Sequence, residues 1–269
     1  TPLMGFWSVN YMAIYHYSAQ IIGRSKGGNA TAAAAYRAGA KIKDEQTGTT
    51  YDYTKKRGVY GTEIIAPDNV PEWVYNREKL WNEIEKAEKQ CNSQLAREIN
   101  VALPVELTPS QMQELVRDFV KEQFVDKGMI ADVCYHDLEA SSDGSEHNPH
   151  AHIMLTMRAI NEEGFGLKNR SWNQRNLLQK QRESWANHAN KALEKAGFEE
   201  RIDHRSLEEQ GVNRIPQIHL GPNVAAMMDK GIITDKALQH LTILETNREL
   251  QQLEQQLKAI EEEIETEEI

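Results

Sequence analysis

The chain has 269 residues, with 41 acidic side chains against 31 basic ones and a formal net charge of −10. That length supports a full buried core. Two cysteines, Cys91 and Cys134, are too few for a disulfide scaffold. The absence of a secretory signal or a membrane-length apolar run argues against a secreted or spanning protein, so a reduced cytoplasmic setting is expected.

Residues 1–11 precede a natural-looking start at Met12 and read as a tag remnant. A strand is predicted over 14–22, followed by an alanine-rich helix over 31–40. Asn29 is placed to cap that helix and Gly39 to end it. Residues 50–65 read as a turn-rich, hairpin-like stretch. After Pro71, the apolar residues Val74, Leu80, Trp81, Ile84 and Ala87 among charges predict an amphipathic helix over 74–94. A strand follows over 95–103. Thr108-Pro109-Ser110-Gln111 is a capping signature with proline at the first helical position, opening a helix to about Val125. Strands at 129–138 and 149–159, a helix over 173–196 ended by Gly197, and a loop-rich segment over 201–222 complete the main body. Helices mixed with apparent hairpins predict an α+β fold, a two-layer arrangement or sandwich with a central antiparallel sheet, helices packed on it and a C-terminal helical extension.

That acidic extension, residues 236–269, places Leu250, Leu253, Leu257, Ile260 and Ile264 at spacings of three and four, a short coiled-coil seam open to three readings: packing on the main domain, pairing with another chain, or the stump of a longer helical region. The preceding residues 12–235 are expected to form one domain. Charge is unevenly spread: residues 245–269 hold nine glutamates against Arg248 and Lys258, which is −7 of the total −10. Residues 24–57 carry eight basic side chains against three acids, and residues 168–182 carry five with none. These stretches nominate Arg24, Lys26, Arg37, Lys55, Lys56, Arg57, Lys168, Arg170 and Arg175 as nucleic-acid contacts, with Tyr51, Tyr53, Tyr60 and Trp172 as rings for unpaired bases. The alternative is an ordinary solvated surface.

The chemistry concentrates at Cys134-Tyr135-His136, an acidic loop, and then His147-Asn148-Pro149-His150-Ala151-His152. In a strand, period-two alternation sends His150 and His152 to one face, and a hairpin with 130–136 brings His136 alongside. Three imidazoles on one ion leave positions open, as in a catalytic metal site rather than a closed structural one. Two surface histidines are the plain alternative. Tyr36, projecting from the alanine-rich helix, is either a packing residue or a covalent nucleophile assisted by a nearby cation.

Five blocks stand in a fixed order: Met12-Ala13-Ile14-Tyr15-His16-Tyr17-Ser18; the helix from Gly27-Gly28 to Tyr36; Ala96-Arg97-Glu98 through Glu106-Leu107; the histidine strand; and Arg201-Ile202-Asp203-His204-Arg205 through Pro222. In these blocks the chain resembles the relaxase domain of the MobA/MobL plasmid mobilisation proteins, within the HUH endonuclease superfamily. The resemblance implies a strand transferase that nicks one DNA strand at an origin of transfer. It would leave a 5′-phosphotyrosine and a free 3′ hydroxyl, then reseal the strand after transfer. It implies Tyr36 as nucleophile and His136, His150 and His152 as ligands of Mg²⁺ or Mn²⁺. Imidazoles also suit Zn²⁺, Ni²⁺ and Cu²⁺, so a purified sample can carry another ion.

Glu98 stands where the family carries an acid that orients a metal-bound histidine, and Glu106 is a secondary candidate for that work. His147 is read as a DNA or solvent contact rather than a fourth ligand. His204 and Arg205 belong to a family signature whose role is open between bracing and DNA contact. The implied partners are single-stranded and hairpin DNA at the origin, accessory mobilisation proteins and the coupling ATPase of a type IV secretion system, with passage to the recipient cell attached to DNA. Competing readings are a rolling-circle replication initiator, whose tyrosine commonly follows the histidine strand; a zinc hydrolase, which needs no tyrosine; and a non-enzymatic DNA-binding or assembly module.

Overall fold

In the computed structural model, residues 15–139, 147–218 and 220–267 are described. The tag reading of 1–11, the first residues of the Met12 block, the acidic part of the loop at 140–146 and His219 lie outside them. The chain divides into two compact units, one reaching to His204 and one over Arg205–Ile269.

The first unit is built on a five-stranded antiparallel sheet. Its strands are β1 (Tyr17–Gly23), β4 (Val59–Ile65), β5 (Gln94–Ala102), β6 (Ala131–His136) and β7 (His150–Thr156), in the spatial order β1-β5-β7-β6-β4. Alternation sorts most of its three inner strands between two cores, with Leu95 and Ala96 at the start of β5 both on the same side. Ile99, Val101, Val133, Tyr135, Ala151 and Ile153 enter a core under α3 (Pro109–Gln123) and α4 (Arg175–Lys195), beside Phe119, Val120 and Trp185. Ala96 and Met154 join the opposite core with α1 (Ala30–Ala38) and α2 (Arg77–Ala87), beside Leu80, Trp81 and Ile84. Helices therefore cover both faces of the α+β sheet, and the site histidines fall on the α1 face.

Local chemistry accounts for most helix ends. The Asn29 side chain accepts from Ala32 N–H, Gly39 ends α1 at φ 59°, and Thr108 and Gln111 complete a capping box. The Glu85 carboxylate, brought over from α2, also accepts Ala30 N–H at 2.6 Å, placing a negative charge at the N-terminus of α1.

The predicted helix over 74–94 is two pieces. Residues Glu72–Tyr75 form one tight turn, and Asn76 then caps α2 afresh by accepting from Lys79 N–H. The helix stops at Ala87 because Glu88 leaves helical geometry to bury its carboxylate between Arg158 and Lys168, at 2.8 and 2.9 Å.

The stretch 50–65 is not a hairpin on itself. β3 (Thr50–Asp52) pairs with β2 (Lys41–Lys43), whereas β4 joins the edge of the main sheet against β6. Likewise the run 149–159 is broken after Thr156. The hydroxyl of Thr156 donates to Arg158 O and accepts from Ile130 N–H, bending the chain into a separate ribbon of β8 (Arg158–Asn161) and β9 (Gly164–Lys168).

The second unit contains α5 (Pro222–Asp229) and α6 (Asp235–Glu267). Asn247 exchanges two 2.8 Å hydrogen bonds with the backbone of Ile215, so the segment after His204 groups with the terminal helix. This differs from a division at 235/236, because the apolar periodicity marks where α6 starts but not what the preceding loop packs against. Leu253, Leu257, Ile260 and Ile264 of the seam are each more than half exposed. No described helix is long and apolar enough to cross a membrane.

Candidate metal and nucleophile site

Strand register assembles the histidines. His136, the last residue of β6, lies opposite His150, the first of β7, and His152 lies opposite Cys134. The three imidazole centroids are 4.9 to 5.1 Å apart, and one ring nitrogen from each falls within 4.8 Å of the other two.

Each ring is held from behind. His136 Nε2 faces Arg37 O at 2.7 Å, His150 Nδ1 faces Asn148 O at 2.7 Å, and His152 Nδ1 faces Glu98 Oε1 at 2.9 Å. All three partners are acceptors, so these nitrogens carry the protons and the other nitrogen of each ring keeps its lone pair. This donor set fits a divalent ion, with outer acceptors that fix tautomer and ring direction. Burial drives the His136 pKa down to about 4 and lowers that of His150, so both rings are neutral and competent to ligate at neutral pH.

Glu98 sits on β5, 2 % exposed, on the same sheet face. Burial opposes its ionisation, but hydrogen bonds from His152, Arg37 and Gln20 and the adjacent Arg37 charge outweigh that and bring it down to about 2. Arg37 grips both carboxylate oxygens with Nε and Nη2, and Gln20 of the edge strand β1 donates to Oε2.

Tyr36 is on the last turn of α1 with half its surface exposed. Its ring meets Tyr53 edge-on at 5.3 Å, and Lys56 Nζ lies 4.0 Å from its centroid. The same ammonium donates to Tyr36 O at 3.0 Å, and burial lowers its pKa. Gly58, at φ 83°, closes this loop onto Asp137, whose N–H bonds Gly58 O; a β-carbon there would sit 2.7 Å from Asp137 Oδ1.

The other nominated residues separate by environment. Arg24 is committed to Glu85 and to the carbonyls of Glu85, Glu88 and Gln90, Arg37 to Glu98 and Ala33 O, and Lys168 to Glu88 and Gln94 O. Counted from sequence as surface cations, these three are internal ion-pair members, because a carboxylate distant in sequence claims each one. Lys26, Lys55, Arg57, Arg170 and Arg175 are exposed. Trp172, expected as a stacking ring, is 6 % exposed in the α3–α4 core, while Tyr60 stands out at 43 %. Glu106 lies in the turn after β5, with both carboxylate oxygens buried and neither hydrogen-bonded among the described residues. The Nε2 of His147 is buried without a hydrogen-bond partner among them. His204 lies 3.7 Å from Asp203.

Sequence reading missed Gln20, the structural work of Arg37 and the stacking of Lys56 on Tyr36. Gln20 sits opposite Glu98 only through the β1–β5 register, which no local signal carries.

Residues 28–230 match the MobA/MobL family. The conjugal transfer protein TraA of Rhizobium radiobacter is 36% identical over 253 residues, covering 81% of this chain but 22% of its own length. The mobilization protein MobL of Acidithiobacillus ferridurans is 38% identical over 244 residues, covering 80% of this chain and 64% of that protein. The chain thus spans about a fifth of the first relative and somewhat under two thirds of the second. A solved structure bearing on the molecular basis of vancomycin resistance transfer in Staphylococcus aureus superimposes with a TM-score of 0.66 at 34% identity, over 72% of this chain and all of that one. The chain belongs to the MobA/MobL family.

Proposed function

We propose that this chain is the relaxase domain of a mobilisation protein, nicking one DNA strand at an origin of transfer by tyrosine transesterification. The observation that carries the reading is the 2.7 Å bond from His136 to the carbonyl of the residue after Tyr36, which couples the tyrosine helix to the three-histidine cluster.

Tyr36 attacks the scissile phosphate. The phenol gives up its proton to solvent as its oxygen bonds to phosphorus. The bond from phosphorus to the 3′ oxygen breaks and that oxygen takes a proton from solvent, leaving a 5′-phosphotyrosine and a 3′ hydroxyl. His136, His150 and His152 would hold Mg²⁺ or Mn²⁺, which when bound offsets the negative charge that builds on the phosphate. Glu98 keeps His152 in the ligating tautomer. Lys56, against the tyrosine ring, supplies a cation beside the phenol and the incoming phosphate. The phosphotyrosine ester conserves the energy of the cut bond, so a DNA 3′ hydroxyl can reverse the attack and reseal the strand. The exposed Lys26, Lys55, Arg57, Arg170 and Arg175 are proposed phosphate contacts, and origin DNA, single-stranded and hairpin, is the proposed substrate. Accessory mobilisation proteins and a type IV coupling ATPase are the proposed partners of the whole protein, which would act in the cytoplasm before transfer with the DNA.

The test is denaturing electrophoresis of wild type and Tyr36→Phe incubated with labelled single strands tiling the DNA beside its own gene, with Mn²⁺ or with EDTA. A covalent protein–DNA band that requires both Tyr36 and metal supports the reading. Cleavage that persists in Tyr36→Phe would move a water-activating metallohydrolase ahead of it.

A further inference from the structure

The C-terminal turn of α1 leaves carbonyls that the helix itself cannot satisfy. Two of them are taken by the site: Tyr36 O by Lys56, at 3.0 Å, and Arg37 O by His136 Nε2, at 2.7 Å. The side chain of Arg37 then turns back along α1 toward the sheet. Its Nη1 donates to Ala33 O at 2.9 Å, while Nε and Nη2 take one oxygen each of Glu98. The Glu98 oxygen that accepts Arg37 Nε also faces His152 Nδ1 at 2.9 Å.

One residue therefore reaches two of the three histidines by separate routes, His136 through its backbone and His152 through Glu98. The guanidinium fork fixes the plane of the carboxylate, which in turn fixes the ring of His152. A lysine keeps the charge but not the fork. With 15 % of its side chain exposed, Arg37 has little surface to offer a phosphate.

We propose that Arg37 is a positioning residue that holds the histidine cluster and the Tyr36 helix in one geometry, rather than a DNA contact. The link to catalysis rests on the relaxase reading above, but the link to metal binding does not. Loosening the fork frees Glu98 and lets His152 turn, so metal affinity should fall even in the absence of DNA.

The experiment is calorimetric titration of Mn²⁺ into DNA-free wild type, Arg37→Lys, Arg37→Gln, Glu98→Gln and the Arg37→Gln/Glu98→Gln double variant, with circular dichroism to verify folding. DNA affinity is measured in parallel by fluorescence anisotropy in EDTA. Both Arg37 variants should lose Mn²⁺ affinity by about tenfold, the low end of what removing an outer partner of a metal ligand costs. The double variant should lose no more than Glu98→Gln alone, since both changes break one relay. DNA affinity in EDTA should stay within about twofold of wild type.

A folded Arg37→Lys with wild-type Mn²⁺ affinity overturns the proposal. So does a loss of DNA affinity in EDTA as large as any loss of cleavage, which would make Arg37 a phosphate contact. If Arg37→Gln fails to fold, Arg37→Lys decides alone, because it keeps a cation beside Glu98. Persistent cleavage by Tyr36→Phe would remove the relaxase reading while leaving the Mn²⁺ result standing.

Discussion

The Glu98 carboxylate accepts a hydrogen bond from His152 Nδ1–H at 2.9 Å while the guanidinium of Arg37 holds both its oxygens. An acid on β5, a histidine on β7 and an arginine on α1 thus form a single unit around one buried carboxylate. What can be changed in it, and what cannot, follows from its burial.

Replacing Glu98 by Gln should be costly to stability as well as to metal binding. The neutral amide keeps the shape but leaves the Arg37 cation without its counter-ion. Breaking a buried pair in this way costs about 3–5 kcal/mol, and the residual exposure of Arg37 puts the expectation near the lower end. Urea denaturation in EDTA measures it. A loss under about 1 kcal/mol would show that solvent, not Glu98, neutralises the arginine.

His150→Ala should remove metal-dependent cleavage by about two orders of magnitude or more while leaving most DNA binding, because phosphate and base contacts are spread over other residues. Unchanged nicking by this variant would rule His150 out as a ligand of the catalytic ion.

Metal-free stability should fall on acidification in two windows. His136 is held neutral, its pKa down at about 4 against 6.5 for the free side chain, so between those values the unfolded chain binds a proton that the folded one does not. Stability therefore declines as pH drops from about 6.5 towards 4. Glu98, at about 2 against 4.5, adds a second decline from about pH 4.5 downward. Urea midpoints measured in EDTA from pH 8 to pH 4 check the first window, and a flat profile there would contradict the burial of His136.

Neutralising Lys55 and Arg57 together should flatten the dependence of DNA affinity on salt, by about 0.7 in the log–log slope for each single-strand phosphate that the two side chains neutralise in wild type. Lys56→Ala should behave differently. With its ammonium 4.0 Å from the Tyr36 ring centroid, its removal should reduce the rate of adduct formation more than it weakens binding. Anisotropy titrations at several salt concentrations, set beside single-turnover cleavage, separate the two effects. Equal effects of Lys56→Ala on binding and on rate would make it an ordinary phosphate contact.

The sequence by itself determined the features that arise within a few residues. Strand alternation put His150 and His152 on one face, Asn29 and Gly39 bounded the tyrosine helix, and Thr108 with Gln111 opened α3, because side-chain period and cap chemistry are local properties of the backbone. Five ordered blocks carried the family resemblance for the same reason. Only the tertiary structure decided which sheet face meets α1, the register that sets His136 opposite His150, and that Gln20 lies opposite Glu98, since register is set by segments far apart in the chain. It also decided the fate of the charges. Arg24, Arg37 and Lys168 look from their neighbours in sequence like exposed cations, yet each is drawn inside by a carboxylate some sixty to eighty residues away. A charged side chain gives up water only where such a partner is waiting, and that partner exists only once the chain has folded.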